Sequence, residues 1–480
     1  MVSPNRPSYP TTQRTEATPA NSNALVTGLL VAFGGLVIPS LIAYGMGTAN
    51  EVQVVALVLG VLGITLLLAR PFFGLLVFAA LLYARPEESV KALAGMHFTL
   101  IIAVMTLLGL LIQMALDKMP FVRAPSLNMV SAFAFTATVS AVFNGIGFMP
   151  ALDLIRLVMV VFLILNIIRS PDRYRQFAST LIFFTTYLAL YSSYLYFSGT
   201  ATFDNGTLRS RGTGIFSDPN DLAATMVLGL ALTLSRFINS RGKMRVFYAV
   251  PVVIILGAIL LTHSRGGLIA LMTVMFLYFL VSSRRKVLAI VLAVVCCGVV
   301  VIAAPGRMTN FDTQEQSANS RFHFWNEGIH QLVGHPVLGI GYGKFPDVND
   351  GFVAHNSFVN CFAEQGLIGY FFWMGCIYFA FRQRSKGIPE PPAPESAATE
   401  LIGARIALAG YLSAGFWITR CYTPIMYIAL ALPVAQQLAY SGLPTLTLFP
   451  ESERLSNYGR ICALCIGSII LVWILVLRFK

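Results

Sequence analysis

Three arginines and one histidine sit in sequence contexts that could do chemistry together. Arg211 opens Arg-Gly-Thr-Gly-Ile-Phe-Ser-Asp-Pro-Asn-Asp-Leu-Ala (211–223), and Arg265 lies in Leu-Thr-His-Ser-Arg-Gly-Gly (261–267). Arg321 lies in Asn-Ser-Arg-Phe-His-Phe-Trp-Asn-Glu-Gly-Ile-His (319–330). His355 leads Ala-His-Asn-Ser-Phe-Val-Asn-Cys-Phe-Ala-Glu-Gln-Gly (354–366), with Glu364 about two and a half helical turns further on. Guanidinium groups stay charged and grip phosphate through two parallel hydrogen bonds. A set of them can stabilise a departing diphosphate in place of a metal ion. A lone imidazole, whose ordinary pKa is near neutrality, can accept the proton of an attacking hydroxyl. The chemistry this set suits is group transfer from an anionic, phosphate-bearing donor. Glu364 can orient His355 or cap and pair locally.

The local sequence around each residue constrains its backbone. Asp218 is a good N-cap, Pro219 suits the first helical position, and Asp221 can reach back as in a capping box. A helix therefore starts there, with Arg211 on a tight glycine loop beside it; the alternative is a capped helix with a solvated arginine. Arg265 joins two apolar segments with almost no loop, and the two glycines after it permit close backbone approach. Phe322, Trp325, Ile329 and Leu332 share helical spacing, which predicts an amphipathic helix lying on a membrane surface, capped by Asn319 or Ser320. Gly-His-Pro-Val-Leu-Gly-Ile-Gly-Tyr-Gly-Lys-Phe (334–345) follows as a glycine-rich turn without the spacing of a nucleotide fingerprint.

Other charges have simpler readings. Arg156 lies one helical turn from Asp153 and either pairs with it or contributes to an anion site. Arg307 and Arg420 read as interfacial residues whose stems lie along lipid. His323, Glu327 and His330 fall at i, i+4 and i+7, a spacing that could hold zinc, although such a trio is ordinarily the solvated side of a helix.

The elements that must carry these residues follow from composition. The chain has 480 residues, 56% hydrophobic and 11% charged, with a mean hydropathy of +0.73. A soluble domain carries about 25% charged residues. Lipid must be the solvent, and the expected fold class is an all-α polytopic transmembrane helical bundle. Apolar runs begin near 24–46, 53–69, 71–84, 97–116, 127–144, 151–168, 176–198, 221–238, 246–262, 266–282, 287–304, 366–381, 401–419 and 423–440, with a further run at 461–478. They predict fourteen spans and, with the run at 461–478, a fifteenth; the count is least firm at 53–84, where Arg70-Pro71 interrupts. Basic clusters at Lys118/Arg123, Arg169/Arg173/Arg175, Arg236/Arg241/Lys243/Arg245, Arg284/Arg285/Lys286 and Arg382/Arg384/Lys386 all fall on one side of the alternating count. That side is expected to be the cytoplasm, and the N-terminus lies there. Much of the net charge of +12 is this orienting excess, so it does not argue for nucleic acid.

The expected organisation is a disordered cytoplasmic tail (1–23), N-terminal transmembrane helices (24–198), a catalytic membrane region (199–382) with external loops at 199–220 and 305–365, a Pro-rich cytoplasmic linker (383–400), and C-terminal transmembrane helices (401–480). The seven cysteines lie mostly inside apolar runs and show no zinc spacing.

Taken in order, Arg211 with Pro219-Asn220, Ser264-Arg265-Gly266-Gly267, Arg321 with Trp325, His335-Pro336 with Gly339-Ile340-Gly341-Tyr342-Gly343, and His355-Asn356 with Glu364 and Gly366 resemble the O-antigen ligase and O-antigen polymerase superfamily of bacterial envelopes over roughly residues 205–370. The resemblance implies a helical membrane glycosyltransferase of GT-C-related type in the inner membrane. Such an enzyme moves a glycan from undecaprenyl diphosphate to an acceptor hydroxyl on the periplasmic face, inverting the anomeric centre without a metal ion or other cofactor. The family's external-loop histidine maps onto His355, and its arginines map onto Arg211, Arg265 and Arg321. The acceptor, whether lipid A–core, a growing glycan or a protein, stays open. A lipid-linked glycan transporter and a membrane metal hydrolase are the competing classes; a transporter predicts mid-membrane charges, broken helices and repeats.

Overall fold

A computed structural model describes residues 44, 47, 50–89, 93, 95–204, 207–282, 286–303, 316–382, 395–441 and 453–479. The expected tail (1–23), nearly all of the first apolar run, Arg284 and Arg285, Arg307, and linker residues 383–394 lie outside the described residues. The described chain is helical: α1 Glu51–Ala69, α2 Pro71–Ala84, α3 Pro86–Ser89, α4 Phe98–Leu116, α5 Pro125–Phe143, α6 Met149–Ile167, α7 Pro171–Phe197, α8 Pro219–Asn239, α9 Gly242–Leu261, α10 Arg265–Ser282, α11 Lys286–Ala303, α12 Gln316–Gly334, α13 Ser357–Phe381, α14 Glu395–Gly415, α15 Pro424–Ser441 and α16 Arg454–Phe479. Prolines open α2, α5, α7, α8 and α15, where the first turn needs no amide donor from them.

The helices are joined at one place by a short antiparallel hairpin, β1 Thr202–Asp204 with β2 Thr207–Arg209, in register Thr202 opposite Arg209. It lies in the 199–220 segment, which has backbone groups to satisfy between two helices. The final six residues assigned to the linker, 395–400, are instead the first turns of α14.

Six described helices are long and apolar enough to cross a membrane: α4, α5, α6, α8, α9 and α16. Val58–Ala69 and Pro71–Glu88 pass the same test jointly, bent at the break where Arg70-Pro71 was expected to interrupt. The chain is thus a multi-pass helical membrane protein. Every apolar run from 53 onward lies in a helix, although the other helices do not meet that span criterion.

The chain divides into two compact units, residues 1–74 with 104–120, and residues 75–103 with 121–480. In the first, Gly109 lies against the backbone of Leu68. In the second, α8 is central, packed on α7, α9, α10 and α14, and 78% of its apolar window is buried. For α9 the figure is 17%, and Val246, Val250 and Val253 form an exposed apolar stripe at helical spacing. Such a stripe suits the lipid-facing side of a membrane helix.

A break in α13 positions the glycine-rich loop. Gly366 has φ 60° and ψ −168°, so the helical ladder stops there. The loop fills the gap with its own backbone: Ile340 N donates to Ala363 O (3.0 Å), Gly341 N to Glu364 O (3.0 Å), and Leu367 N to Pro336 O (2.8 Å). The Asn144 amide of α5 donates to Gly339 O (3.2 Å), holding the loop from the other side.

Candidate functional site

Three capped helix starts are tied together. At α8, Asp218 accepts from Asn220 N (2.6 Å), as its N-cap role predicts. Asn220 Oδ1 in turn accepts from Ser264 Oγ (2.8 Å), and Ser264 Oγ accepts from Gly267 N (3.1 Å) at the start of α10. At α13, Asn356 accepts from Phe358 N (2.9 Å) and Val359 N (3.2 Å). Arg209, buried, braces the first two starts, donating to Thr262 O (2.9 Å) and Asn220 Oδ1 (3.0 Å). Its hydrogen bonds make it a structural arginine.

His355 stands immediately before the Asn356 cap. It is half-buried and has φ 49°, a left-handed conformation that strains a residue with a Cβ. Strain of this kind persists where surrounding structure over-determines it. Here Trp325 Nε1 donates to Ala354 O (3.0 Å) on one side and the cap fixes the other. Burial lowers the imidazole pKa, Arg321 lowers it further, Asp218 opposes them and Arg420 adds a smaller depression. Those three charged side chains are therefore within electrostatic reach of His355. The α13 N-terminus adds a positive field of the same sign.

Arg321, within electrostatic reach of His355, is carried by α12, whose apolar stripe packs on protein. Phe324, Trp325, Gly328 and Leu332 are its buried stripe, and the Trp325 ring lies against Phe416 (5.3 Å) and Trp417 (5.9 Å). The helix already runs at Gln316, so Asn319 and Ser320 are inside it rather than at its cap. Arg265 opens α10 between Ser264 and Gly266; a Cβ on Gly266 would sit 2.8 Å from the Trp417 side chain. The close approach that the Gly266-Gly267 pair permits is thus to Trp417 and Ala223 of the protein itself. Arg211 is exposed, with its guanidinium donating to Thr200 O (3.2 Å). It sits seven residues before Asp218 on the loop leading to the α8 start.

The expectations for Asp221 and Arg420 are corrected, and Glu364 takes one of its two readings. Asp221 does not reach back as a capping box; its carboxylate binds the Arg420 guanidinium through Nε and Nη2. Arg420 is therefore not a lipid-facing snorkelling residue but part of the same constellation. The signal was available: Arg420 joins two apolar runs with almost no loop, the context that singled out Arg265. Glu364, in turn, engages the glycine loop rather than His355: its Oε1 accepts from Phe345 N (3.1 Å).

Arg156 belongs to a separate group. It pairs with Asp153 (2.6 Å) on the exposed side of α6, as the spacing predicts. The pair lies within electrostatic reach of Tyr342, whose ring packs on Tyr422 with centroids 4.6 Å apart. Among the described residues no group of three or more His, Cys, Asp or Glu side chains could hold a metal ion, and His323 and His330 are exposed on α12.

Against protein-family models, residues 250–374 match the one described as O-antigen ligase. The matched stretch contains Arg265, Arg321, His355 and Glu364, while Arg211 and Arg420 lie on either side of it. No curated protein matches the chain.

Proposed function

On the premise that residues 250–374 form a domain of the O-antigen ligase family, we propose that this protein is an inverting, metal-independent glycosyltransferase of the periplasmic face of the bacterial inner membrane. It transfers a glycan from undecaprenyl diphosphate to an acceptor hydroxyl, as an O-antigen ligase does. The carrying observation is the strained, half-buried His355, fixed at a capped helix start with Arg321 in electrostatic reach. In the step, the acceptor oxygen attacks the anomeric carbon from the face opposite the diphosphate, and its proton passes to the His355 imidazole. The anomeric C–O bond breaks with its electron pair remaining on the diphosphate. Arg211, Arg265 and Arg321 bind that group and stabilise the charge it gains as it leaves. Glu364 acts indirectly, by holding the glycine loop at the α13 break.

A transporter would use a broken helix to expose backbone groups to its cargo. The Gly366 break is instead filled by the chain's own loop, which favours the enzyme. The test is transfer by the purified protein in vesicles, with an undecaprenyl-diphosphate glycan, an acceptor and a chelator present. Inverted product with release of undecaprenyl diphosphate supports the reading; donor that merely crosses the bilayer, or chelator-sensitive hydrolysis, sinks it. Deletion of the gene assigns the acceptor. Lipopolysaccharide without long chains, with lipid-linked polymer accumulating, indicates a ligase. Single repeats indicate a polymerase, and loss of glycoprotein bands alone indicates a protein O-glycosyltransferase.

Lysine in place of Arg211, Arg265 or Arg321 keeps the charge and loses the planar fork. Each replacement is expected to cost at least about tenfold in turnover. Full turnover in all three lysine variants would exclude bidentate diphosphate binding.

The pH profile carries a sign test. A base must be neutral to work, so activity should rise along an acid limb whose midpoint lies below the ordinary imidazole value of about 6.5. Arg321→Gln removes a charge that disfavours the imidazolium, which raises the His355 pKa and moves the limb to higher pH. Asp218→Asn preserves the cap but removes a charge that favours the imidazolium, moving the limb to lower pH. Shifts in the same direction, or none, would detach the limb from His355.

A further inference from the structure

We infer that Arg420 is a fourth guanidinium of the diphosphate site and that Asp221 is its positioning residue. This deepens the transferase reading and rests on it for the identity of the leaving group. The geometry of the pair carries the inference. A guanidinium has five N–H groups. In Arg420, Nε and one Nη2 hydrogen go to the two oxygens of Asp221, and one Nη1 hydrogen goes to Thr419 O (3.2 Å). One N–H on each terminal nitrogen remains, giving two adjacent donors of the kind that bind phosphate side by side.

The two partners are buried unequally. The Asp221 side chain is 7% exposed and that of Arg420 is 37% exposed, so the carboxylate lies behind and the guanidinium stays open to a ligand. The backbone is fixed as well. Arg420 N donates to Ser357 Oγ (2.9 Å), Ser357 Oγ donates to Ile418 O (2.7 Å), and Thr423 Oγ1 donates to Arg420 O (3.0 Å). Ser357 is two residues from His355, so the same bonds set the distance between Arg420 and the proposed base. Arginine loses rotamer freedom when it binds a ligand. A carboxylate that has already fixed the side chain removes that cost from the binding step, and donors fixed in advance stabilise developing charge best. Asp221 also offsets the positive charge of Arg420, which with that of Arg321 lies within electrostatic reach of His355. A pair serving only to tie α8 to the 416–423 turn would gain little from burial, because desolvation of two ions opposes their attraction.

The experiment compares wild type, Arg420→Lys, Asp221→Asn, Asp221→Arg, Arg420→Asp and the double exchange Asp221→Arg/Arg420→Asp in turnover, thermal midpoint and binding of inorganic pyrophosphate to the detergent-solubilised protein. Arg420→Lys keeps an ion pair and should keep the midpoint, while turnover and pyrophosphate affinity each fall about tenfold or more. The double exchange should recover the midpoint relative to either of its single components without recovering pyrophosphate binding. Wild-type turnover and pyrophosphate affinity in Arg420→Lys, or recovery of both in the double exchange, would show a purely structural pair. If Arg420→Lys does not fold, Asp221→Asn decides: weaker pyrophosphate binding at an unchanged midpoint supports the assignment, and unchanged binding overturns it. A wild-type protein that binds pyrophosphate through Arg420 yet transfers no glycan would leave the site standing while the reaction falls. Transfer that ignores Arg420 would overturn this inference alone.

Discussion

Replacing His355 by alanine is expected to lower glycan transfer by about 10²–10⁴-fold, the usual contribution of a positioned general base, while the protein still folds and binds donor. The imidazole is held where a neutral base is favoured: burial and the Arg321 charge both resist protonation. Its backbone at φ 49° has a mirror-image steric cost that alanine shares and glycine does not. His355→Gly should therefore be as inactive as His355→Ala yet melt higher, by about 1 kcal/mol of relieved strain. A purely structural histidine would behave differently, with activity following the midpoint upward in the glycine variant. Full transfer by His355→Ala in the reconstituted assay would remove the base from the proposed mechanism.

The features legible in the sequence are those written within a few residues of one another. The Asp218-Pro219 helix start, the Arg70-Pro71 interruption and the Asp153–Arg156 pair all stand as local spacing predicts. So do the helices themselves, because a lipid-facing helix must be apolar over a whole turn pattern. The missed features are long-range. Asp221 has a plausible local role as a capping-box acid, but its partner Arg420 lies 199 residues away. Arg420, read alone between two apolar runs, has the same local signature as an interfacial anchor. Glu364 shares a helix with the residues following His355, which suggested that it orients the imidazole; its actual partner, Phe345 N, lies on a loop that sequence order places before the helix. The α12 stripe was legible as a stripe, but periodicity cannot distinguish lipid from protein as the apolar partner. Trp325 faces Phe416 and Trp417 and donates to Ala354 O beside His355.

Gly366→Ala should be the most destabilising small substitution in the α13 region, at about 3 kcal/mol or more. Its φ 60°, ψ −168° lies in a region essentially reserved for glycine, where another residue costs roughly 1–3 kcal/mol. A Cβ there would also sit 2.4 Å from Val337 O and 2.6 Å from Gly339 N. Both are backbone atoms, and the loop that carries them is bonded to α13 on either side of the break. Relief therefore requires the loop to undock, which would leave Ala363 O, Glu364 O and Leu367 N without those partners. Gly343→Ala is the matched control: it also has positive φ (73°), but a Cβ there meets nothing within 4 Å, so only the conformational cost of about 1–2 kcal/mol applies. Thermal unfolding in detergent, with hydrogen exchange read at Ile340, Gly341 and Leu367, separates the two effects. A large loss of protection in Gly366→Ala and little in Gly343→Ala is expected. Equal losses would mean that the break is not the support of the glycine loop. Transfer should fall with protection in Gly366→Ala, because the residues between His355 and that break form about two and a half turns of helix, anchored by Asn356 at one end and by the loop at the other.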